Sequence, residues 1–170
     1  MMRNGEATKL AVFSDTHVRN LQQLDPVVME ALREADWVAH CGDFTGLELV
    51  EELRERYPRF VGVYGNSDPD SVRQFLPRKR LFRIGRWRIG MTHPYWGVEP
   101  DGIEEKVLRE LGSPDIILFG HTHERVESYV GNTLLVNPGP GYAEFMTPGS
   151  VAVLSLRRDS VEVEFHIFER

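Results

Sequence analysis

Among its 170 residues the chain has one cysteine, Cys41, so no disulfide can form within it. That suits a reducing compartment. Long hydrophobic runs are missing too. Stretches such as Ile116 to Phe119 fall far short of the roughly 20 apolar residues that a membrane-spanning helix needs. Met1 to Thr8 is polar and lacks the apolar stretch of a signal peptide, so a cytoplasmic location is expected. Positive charge is in deficit: 20 Lys and Arg against 26 Asp and Glu give a formal net charge of -6. Long nucleic acid would be repelled by such a surface, and a membrane role is not expected. A small anionic substrate is not excluded, because bound metal ions would outweigh the surrounding charge. There is no low-complexity segment, no sustained repeat and no Pro/Gly/Ser-rich linker, so residues 1–170 read as one domain. What is present is 41% hydrophobic and 27% charged residues, the balance of a globular chain with a sizeable core.

Patterning gives the elements. Lys9 to Ser14 is a short apolar run ending at a polar cluster, which predicts a buried strand. Asp25-Pro26 opens a helix to about Ala35, with Val28, Leu32 and Ala35 on one face. Asp36 to Cys41 is the next strand. Thr45-Gly-Leu-Glu48 has capping-box spacing before a second helix, and Arg59 to Tyr64 is a third strand. Arg80 to Ile84 and Trp87 to Thr92 pair around Gly85-Arg86. A capped helix is expected from Asp101-Gly-Ile-Glu104 to about Leu111, then a strand at Ile116 to Phe119. Hairpins follow at Arg125–Val130 with Thr133–Val136, and at Val151–Leu156 with Val161–Phe168. In the last strand Val161, Val163, Phe165 and Ile167 alternate with Glu162, Glu164, His166 and Phe168. Alternating strands and helices followed by hairpins predict an α/β sandwich of mixed sheets covered by helices.

The chemistry-bearing residues fall just after strands. They are Asp15-Thr-His17, Gly42-Asp43, Gly65-Asn66-Ser67-Asp68, His93, and Gly120-His121-Thr-His123. Sites in open α/β sheets gather at the carboxyl ends of strands, so loops distant in sequence can converge. Spacing of i and i+2 in extended chain points two side chains the same way. Asp15 with His17, and His121 with His123, are therefore each expected to aim at one point. Carboxylates and imidazoles ligate Zn, Mn, Fe, Co or Ni. Two such ions roughly 3.5–4 Å apart can clamp and polarise a phosphate and generate a hydroxide. Each piece alone has an ordinary explanation: Gly-Asp as a turn, Asp68 as a helix cap before Pro69, His93 as a structural histidine. Four of the six histidines lying in these loops, in order with the acidic residues, favours a functional constellation.

The order Asp-x-His, Gly-Asp, Gly-Asn-x-Asp, His, Gly-His-x-His resembles the calcineurin-like metallophosphoesterases, from Leu10 to about Gly141. The length and the Asn137-Pro-Gly139 turn resemble their small single-domain phosphodiesterase branch. The resemblance implies a four-layer αββα sandwich and two divalent metal ions. One ion would take Asp15, His17, Asp43 and His123. The other would take Asp43, Asn66, His93 and His121, with Asp43 bridging. It further implies attack of a metal-bridging hydroxide on a small phosphate ester, preferably a phosphodiester. Asn66, Asp68 and His93 would serve catalysis, Asn66 holding phosphoryl oxygens and Asp68 orienting a neighbour. The chain departs from the pattern at Ser67, where many members have a histidine acid, and at Pro94, where glycine is common.

Other residues fit plainer roles. Tyr95 and Trp96 suit loop packing or stacking on an aromatic group. Arg78, Lys79, Arg80, Arg83, Arg86 and Arg88 fit a solvated hairpin face. Cys41 is a small buried residue, His40 a strand residue behind the Asp43 loop, and His166 an exposed one. Two rival functions remain: a scaffold that keeps the fold without catalysis, as in a retromer subunit of the family, and a phosphomonoesterase or nuclease. The intact ligand set disfavours the scaffold. Self-association into a homo-oligomer is compatible with the sequence.

Overall fold

The computed structural model describes residues 5–94 and 102–170. Its first strand, β1 (Thr8–Phe13), turns Leu10 and Val12 to one side and Ala11 and Phe13 to the other, and all four are fully buried. A strand buried on both faces lies between two layers. The layer on one side is helical: α1 (Pro26–Glu34), α2 (Leu47–Arg56) and α3 (Asp70–Phe75) pack Val28, Leu49, Leu53 and Val72 against Ala11 and Phe13. On the other side lies a second sheet, which shares with Leu10 and Val12 a core that includes Ile89, Met91, Leu118 and Val136.

The first sheet has the order β10-β9-β1-β2-β3, adding β2 (Trp37–His40), β3 (Phe60–Gly62), β9 (Gly149–Leu156) and β10 (Val161–Phe168). β1, β2 and β3 are parallel, whereas β9 runs antiparallel to β1 and β10. The second sheet has the order β4-β5-β6-β8-β7, from β4 (Lys79–Ile84), β5 (Trp87–Thr92), β6 (Ile116–Phe119), β7 (Arg125–Val130) and β8 (Thr133–Pro138). β5, β6 and β8 are parallel and the outer strands antiparallel. Helix α4 (Ile103–Leu111) covers its outer face through Ile103, Val107 and Leu111 against Ile117, Phe119 and Leu135. The result is the expected four-layer α/β sandwich, two mixed sheets flanked by helices. The parallel strands of both sheets end along one rim, and the polar loops lie there.

Details of the sequence reading change at helix ends. Asp25 caps α1 as expected, accepting from the Val27 N–H at 2.8 Å. The Thr45 capping box does not form: Gly46 is the N-cap of α2, and Thr45 has φ 75° with its N–H given to Asp68 Oδ1 at 2.8 Å. Asp68 does not cap α3, whose N-cap is Pro69. Gly102, left-handed at φ 102°, precedes α4, and Asp101 lies outside the described residues, as do Tyr95 and Trp96. In β10 the alternation ends early. Phe168 is buried on the helical side, whereas Ile167 is 51% exposed although both still pair with β9. His166 is half-buried rather than exposed, beside Glu164. The basic hairpin is solvated and partly neutralised: Arg78 and Lys79 meet Glu110, Arg86 meets Asp159, and Arg88 meets Asp115.

Candidate metal centre

The backbone at this rim is strained. Asp15, His17, Asp43, His121 and His123 all have positive φ, between 51° and 81°. Such conformations cost of order 1–3 kcal/mol each in residues with a Cβ and persist where surrounding structure enforces them. Here the loops brace one another: Asp15 N donates to Gly42 O at 2.9 Å and Cys41 N to Phe13 O at 3.0 Å. Left-handed turns, not an extended pleat, therefore aim the side chains. Asp15 and His17 still meet, but His121 and His123 diverge, contrary to the expectation from i, i+2 spacing. The His121 ring faces His93 with centroids 5.2 Å apart, whereas His123 Nε2 is 3.3 Å from Asp15 Oδ1.

Two sets of ligand atoms each lie within 4.8 Å of one another: Asp15, His17 and His123, and Asp15, Asp43 and His93. Asp15 is common to both. Asp43 Oδ2 is 3.4 Å from His93 Nε2, and its Oδ1 accepts the Ser67 N–H at 2.8 Å. Asn66 Oδ1 lies 2.9 Å from the same His93 nitrogen. His121 belongs to neither set, but its N–H donates to Asp15 Oδ2 at 3.1 Å.

Two atoms show what this arrangement can hold. Asp15 Oδ1 is buried and has no well-aligned hydrogen bond among the described residues, with His123 Nε2 at 3.3 Å and His93 Nε2 at 3.9 Å as its neighbours, a setting that demands positive charge from a metal ion or a protonated imidazole. His93 Nδ1 is 2.8 Å from the Cys41 carbonyl, which can only accept, so Nδ1 carries a proton. Its Nε2 then points at oxygens of Asn66, Asp43 and, at 3.9 Å, Asp15. Three acceptors around one imidazole nitrogen call for a proton or a metal ion there. Without a metal, burial opposes protonation of His93, but Asp43 and Asp15 outweigh it and raise its pKa. Burial likewise pushes Asp15 up, but His123, His93 and the Ser14 hydroxyl leave it below the ordinary range. Burial acts in the same sense on Asp43, yet His93 and the Ser67 N–H bring it down to about 2. Clustered carboxylates and imidazoles with orphaned lone pairs fit borderline divalent ions.

Behind these residues stands a supporting shell. Asp68, expected to take part in catalysis, has both oxygens engaged by backbone: Oδ2 accepts from Asp43 N at 2.9 Å and Gly65 N at 2.7 Å, and Oδ1 from Thr45. It ties the Asp43 and Asn66 loops together, in keeping with the expected orienting of a neighbour. Gly65 is required by space, since a Cβ there would lie 2.2 Å from Asp43 Oδ1 and 2.6 Å from Asp43 N. Sequence reasoning missed Arg73, whose guanidinium donates to the Asn66 carbonyl at 3.1 Å and the Asp68 carbonyl at 3.0 Å. It also missed Ser14, whose hydroxyl donates to Asp15 Oδ2 at 2.7 Å, and Tyr142, whose ring lies against His17 and His123. Their one local signal is position beside a ligand loop or glycine turn. Arg73→Ala should lower kcat/KM by roughly tenfold by loosening Asn66, about 1.4 kcal/mol. Steady-state kinetics at saturating metal checks this, with Arg73→Lys recovering part of the loss.

His40 links the Asp15 and Asp43 loops. Its Nδ1 accepts from Gly42 N at 3.1 Å, so Nε2 carries the proton and donates to Thr16 Oγ1 at 3.0 Å. Stacked 3.6 Å from Phe44 and fully buried, it is held neutral. Burial dominates and takes its pKa down to about 3, against the pull of Asp15 and Asp43. The unfolded chain therefore binds a proton that the folded one refuses, from about pH 6.5 down to about pH 3. Stability should fall with falling pH in that window, by about 1.4 kcal/mol per pH unit from this residue. Urea midpoints of the metal-free protein at pH 6, 5 and 4 should show a steeper decline than those of His40→Asn.

A cluster of buried carboxylates with buried and exposed imidazoles, on the rim of a four-layer sandwich, has the donor set of a divalent-metal centre. Comparison with known proteins agrees. Residues 8–159 match the calcineurin-like phosphoesterase superfamily domain, and the chain belongs to that family. It is 31% identical to a probable metallophosphoesterase of Methanothermobacter thermautotrophicus, over 91% of this chain and 90% of that one. It is 28% identical to a phosphodiesterase of Methanocaldococcus jannaschii, over 77% and 82% of the two chains. Among solved structures, a Thermotoga maritima protein determined by solution NMR superposes with a TM-score of 0.74 at 30% identity, covering 95% of this chain and 99% of that one.

Proposed function

We propose that the protein is a cytoplasmic two-metal phosphodiesterase acting on small phosphodiesters, with Mn, Co, Ni, Fe or Zn as its ions. Asp15, His17, Asp43 and His123 would hold one ion. Asp43, Asn66, His93 and His121 would hold the other, with Asp43 between them. The observation that carries this reading is the buried Asp15 Oδ1, without a well-aligned hydrogen bond and with the His123 and His93 nitrogens 3.3 Å and 3.9 Å from it. Divalent ions here would supply Lewis acidity toward phosphoryl oxygens and acidify water.

The remaining tasks fall to the chain itself. Asn66 is exposed at the rim, so its amide Nδ2 is available to a phosphoryl oxygen while Oδ1 stays beside His93. The Cys41 carbonyl fixes the His93 tautomer, leaving Nε2 for the site. Asp68 and Arg73 hold the Asn66 loop in register. The phosphodiesterase among the relatives supports the diester class, and a diester offers less negative charge to the two carboxylates than a monoester dianion. The test is a screen of phosphomonoesters, phosphodiesters and cyclic nucleotides across the five metals. Turnover of diesters above monoesters is expected, and a preference for monoesters would overturn the diester assignment.

Ser67 sharpens the expectation. Its side chain is exposed next to Asn66, where a histidine could act as an acid. A positioned acid contributes roughly 10²–10⁴-fold, and a serine hydroxyl has no comparable acidity. Rate should depend steeply on leaving-group pKa in a series of aryl and alkyl diesters, and Ser67→His should flatten that dependence. A flat series in the native enzyme would mean that another group supplies the proton.

A further inference from the structure

Metal-binding histidines are ordinarily steered by a hydrogen bond to the ring nitrogen that faces away from the ion. His93 has that bond, from Nδ1 to the Cys41 carbonyl. His17 does not. Its side chain is exposed, and no protein group hydrogen-bonds its ring among the described residues. His123 meets Asp15 through Nε2, with its side chain 39% exposed. No hydrogen bond to the His17 ring or to His123 Nδ1 is present among the described residues, so neither imidazole has an outward bond like that of His93.

Tyr142 fills that role by packing. Its ring meets His17 at 5.4 Å and 85°, and His123 at 6.1 Å and 86°. The two imidazoles stand 6.4 Å apart at 74°. All three contacts are edge-to-face, in the 4.5–7 Å range where aromatic rings attract. Tyr142 is itself anchored. Gly141 N donates to Ser14 O at 2.7 Å, and a Cβ on Gly141 would lie 2.7 Å from both Ser14 O and Thr16 Cγ2. Ser150 ties the segment down from below, its N–H donating to Pro140 O at 2.8 Å and its hydroxyl to Pro138 O at 2.5 Å. The residues before Tyr142 are thus docked on the loop that carries Asp15 and His17. The ring reaches across to His123, on the loop after β6.

We infer that Tyr142 is a positioning residue whose ring fixes the imidazoles of His17 and His123 relative to each other, and so sets the affinity for the cation they share with Asp15. The inference rests on the metal-centre reading and adds a residue that acts through its ring contacts with His17 and His123.

The experiment is calorimetric titration of the metal-free protein with Mn²⁺ alone. Tyr142→Ala should weaken one binding event by roughly tenfold or more, the scale seen when groups orienting metal ligands are lost, while the other event changes less. Tyr142→Leu, which keeps bulk but has no flat face, should weaken it as well. Tyr142→Phe should restore it, because the ring and not the hydroxyl makes the contacts. The visible spectrum of the Co²⁺-loaded Ala and Leu variants should shift with the altered histidine geometry. Wild-type affinity in both Ala and Leu would overturn the inference and leave the metal centre standing. A Phe variant as weak as Ala would also overturn it. A wild-type protein that binds no Mn²⁺ would overturn the inference and the metal centre together.

Discussion

Asp43→Ala should reduce kcat/KM by at least about 10³-fold, equivalent to about 4 kcal/mol of transition-state stabilisation. The carboxylate is buried, faces His93 Nε2 at 3.4 Å and receives the Ser67 N–H, so its loss removes charge from the centre and frees the Asn66 loop. Ser67→Ala, one residue past Asn66 with an exposed side chain, should cost less than about tenfold. Alanine is a blunt probe at φ 62°, because a left-handed residue with a Cβ costs roughly 1–2 kcal/mol. Asp43→Asn is the better one, since asparagine tolerates that conformation while discarding the charge. Both variants should fold, and in the metal-free state the Asn variant loses a buried negative charge beside Asp15. Kinetics at saturating Mn²⁺ with circular dichroism checks both points. Near-wild-type turnover in Asp43→Asn would remove Asp43 from the centre.

Removal of metal should have the largest effect. Exhaustive chelation should take hydrolysis to the uncatalysed rate, and Mn²⁺, Co²⁺ or Ni²⁺ should restore it, because a protonated His93 can balance the charge of Asp43 and Asp15 but supplies neither the Lewis acidity nor the acidified water of a divalent ion. Stability should move with activity. An ion at 100 times its dissociation constant stabilises the folded chain by about 2.7 kcal/mol. For a chain of this size that raises the melting temperature by roughly 5–11 °C. The shift should shrink in Asp43→Asn, which separates binding at the centre from adventitious binding at surface carboxylates. Full activity after metal removal, confirmed by elemental analysis, would end the metal-centre reading.

Both the order of the elements and the candidate ligand residues were legible in the linear chain. The apolar run at Leu10 to Phe13 requires burial on two faces, Asp25-Pro26 can do little but begin a helix, and Gly131-Asn132 closes a hairpin, all through local steric and hydrogen-bonding preferences. The polar residues stand just past strands because the rim is where strands stop. Caps were read less well. Thr45 and Asp68 look like caps in sequence, but Asp68 binds the backbone of three separate residues, a satisfaction of buried N–H groups that no local pattern announces.

The composition and the spacing of Asp, His and Gly are enough to establish the sheet-and-helix alternation and which side chains are available as ligands, because those depend on neighbours in the chain. How the ligands are divided is a matter of assembly. His121 turns to His93 and His123 to Asp15 because left-handed backbone, enforced by contacts such as Gly42 to Asp15 and Ser14 to Gly141, replaces the pleat that spacing alone implies. His40 and Tyr142 enter for the same reason. Arg73 folds back on the loop just before its own helix, whereas His40 and Tyr142 act on loops remote in sequence, and remote contacts exist only once two sheets have packed and brought six strand ends to one edge.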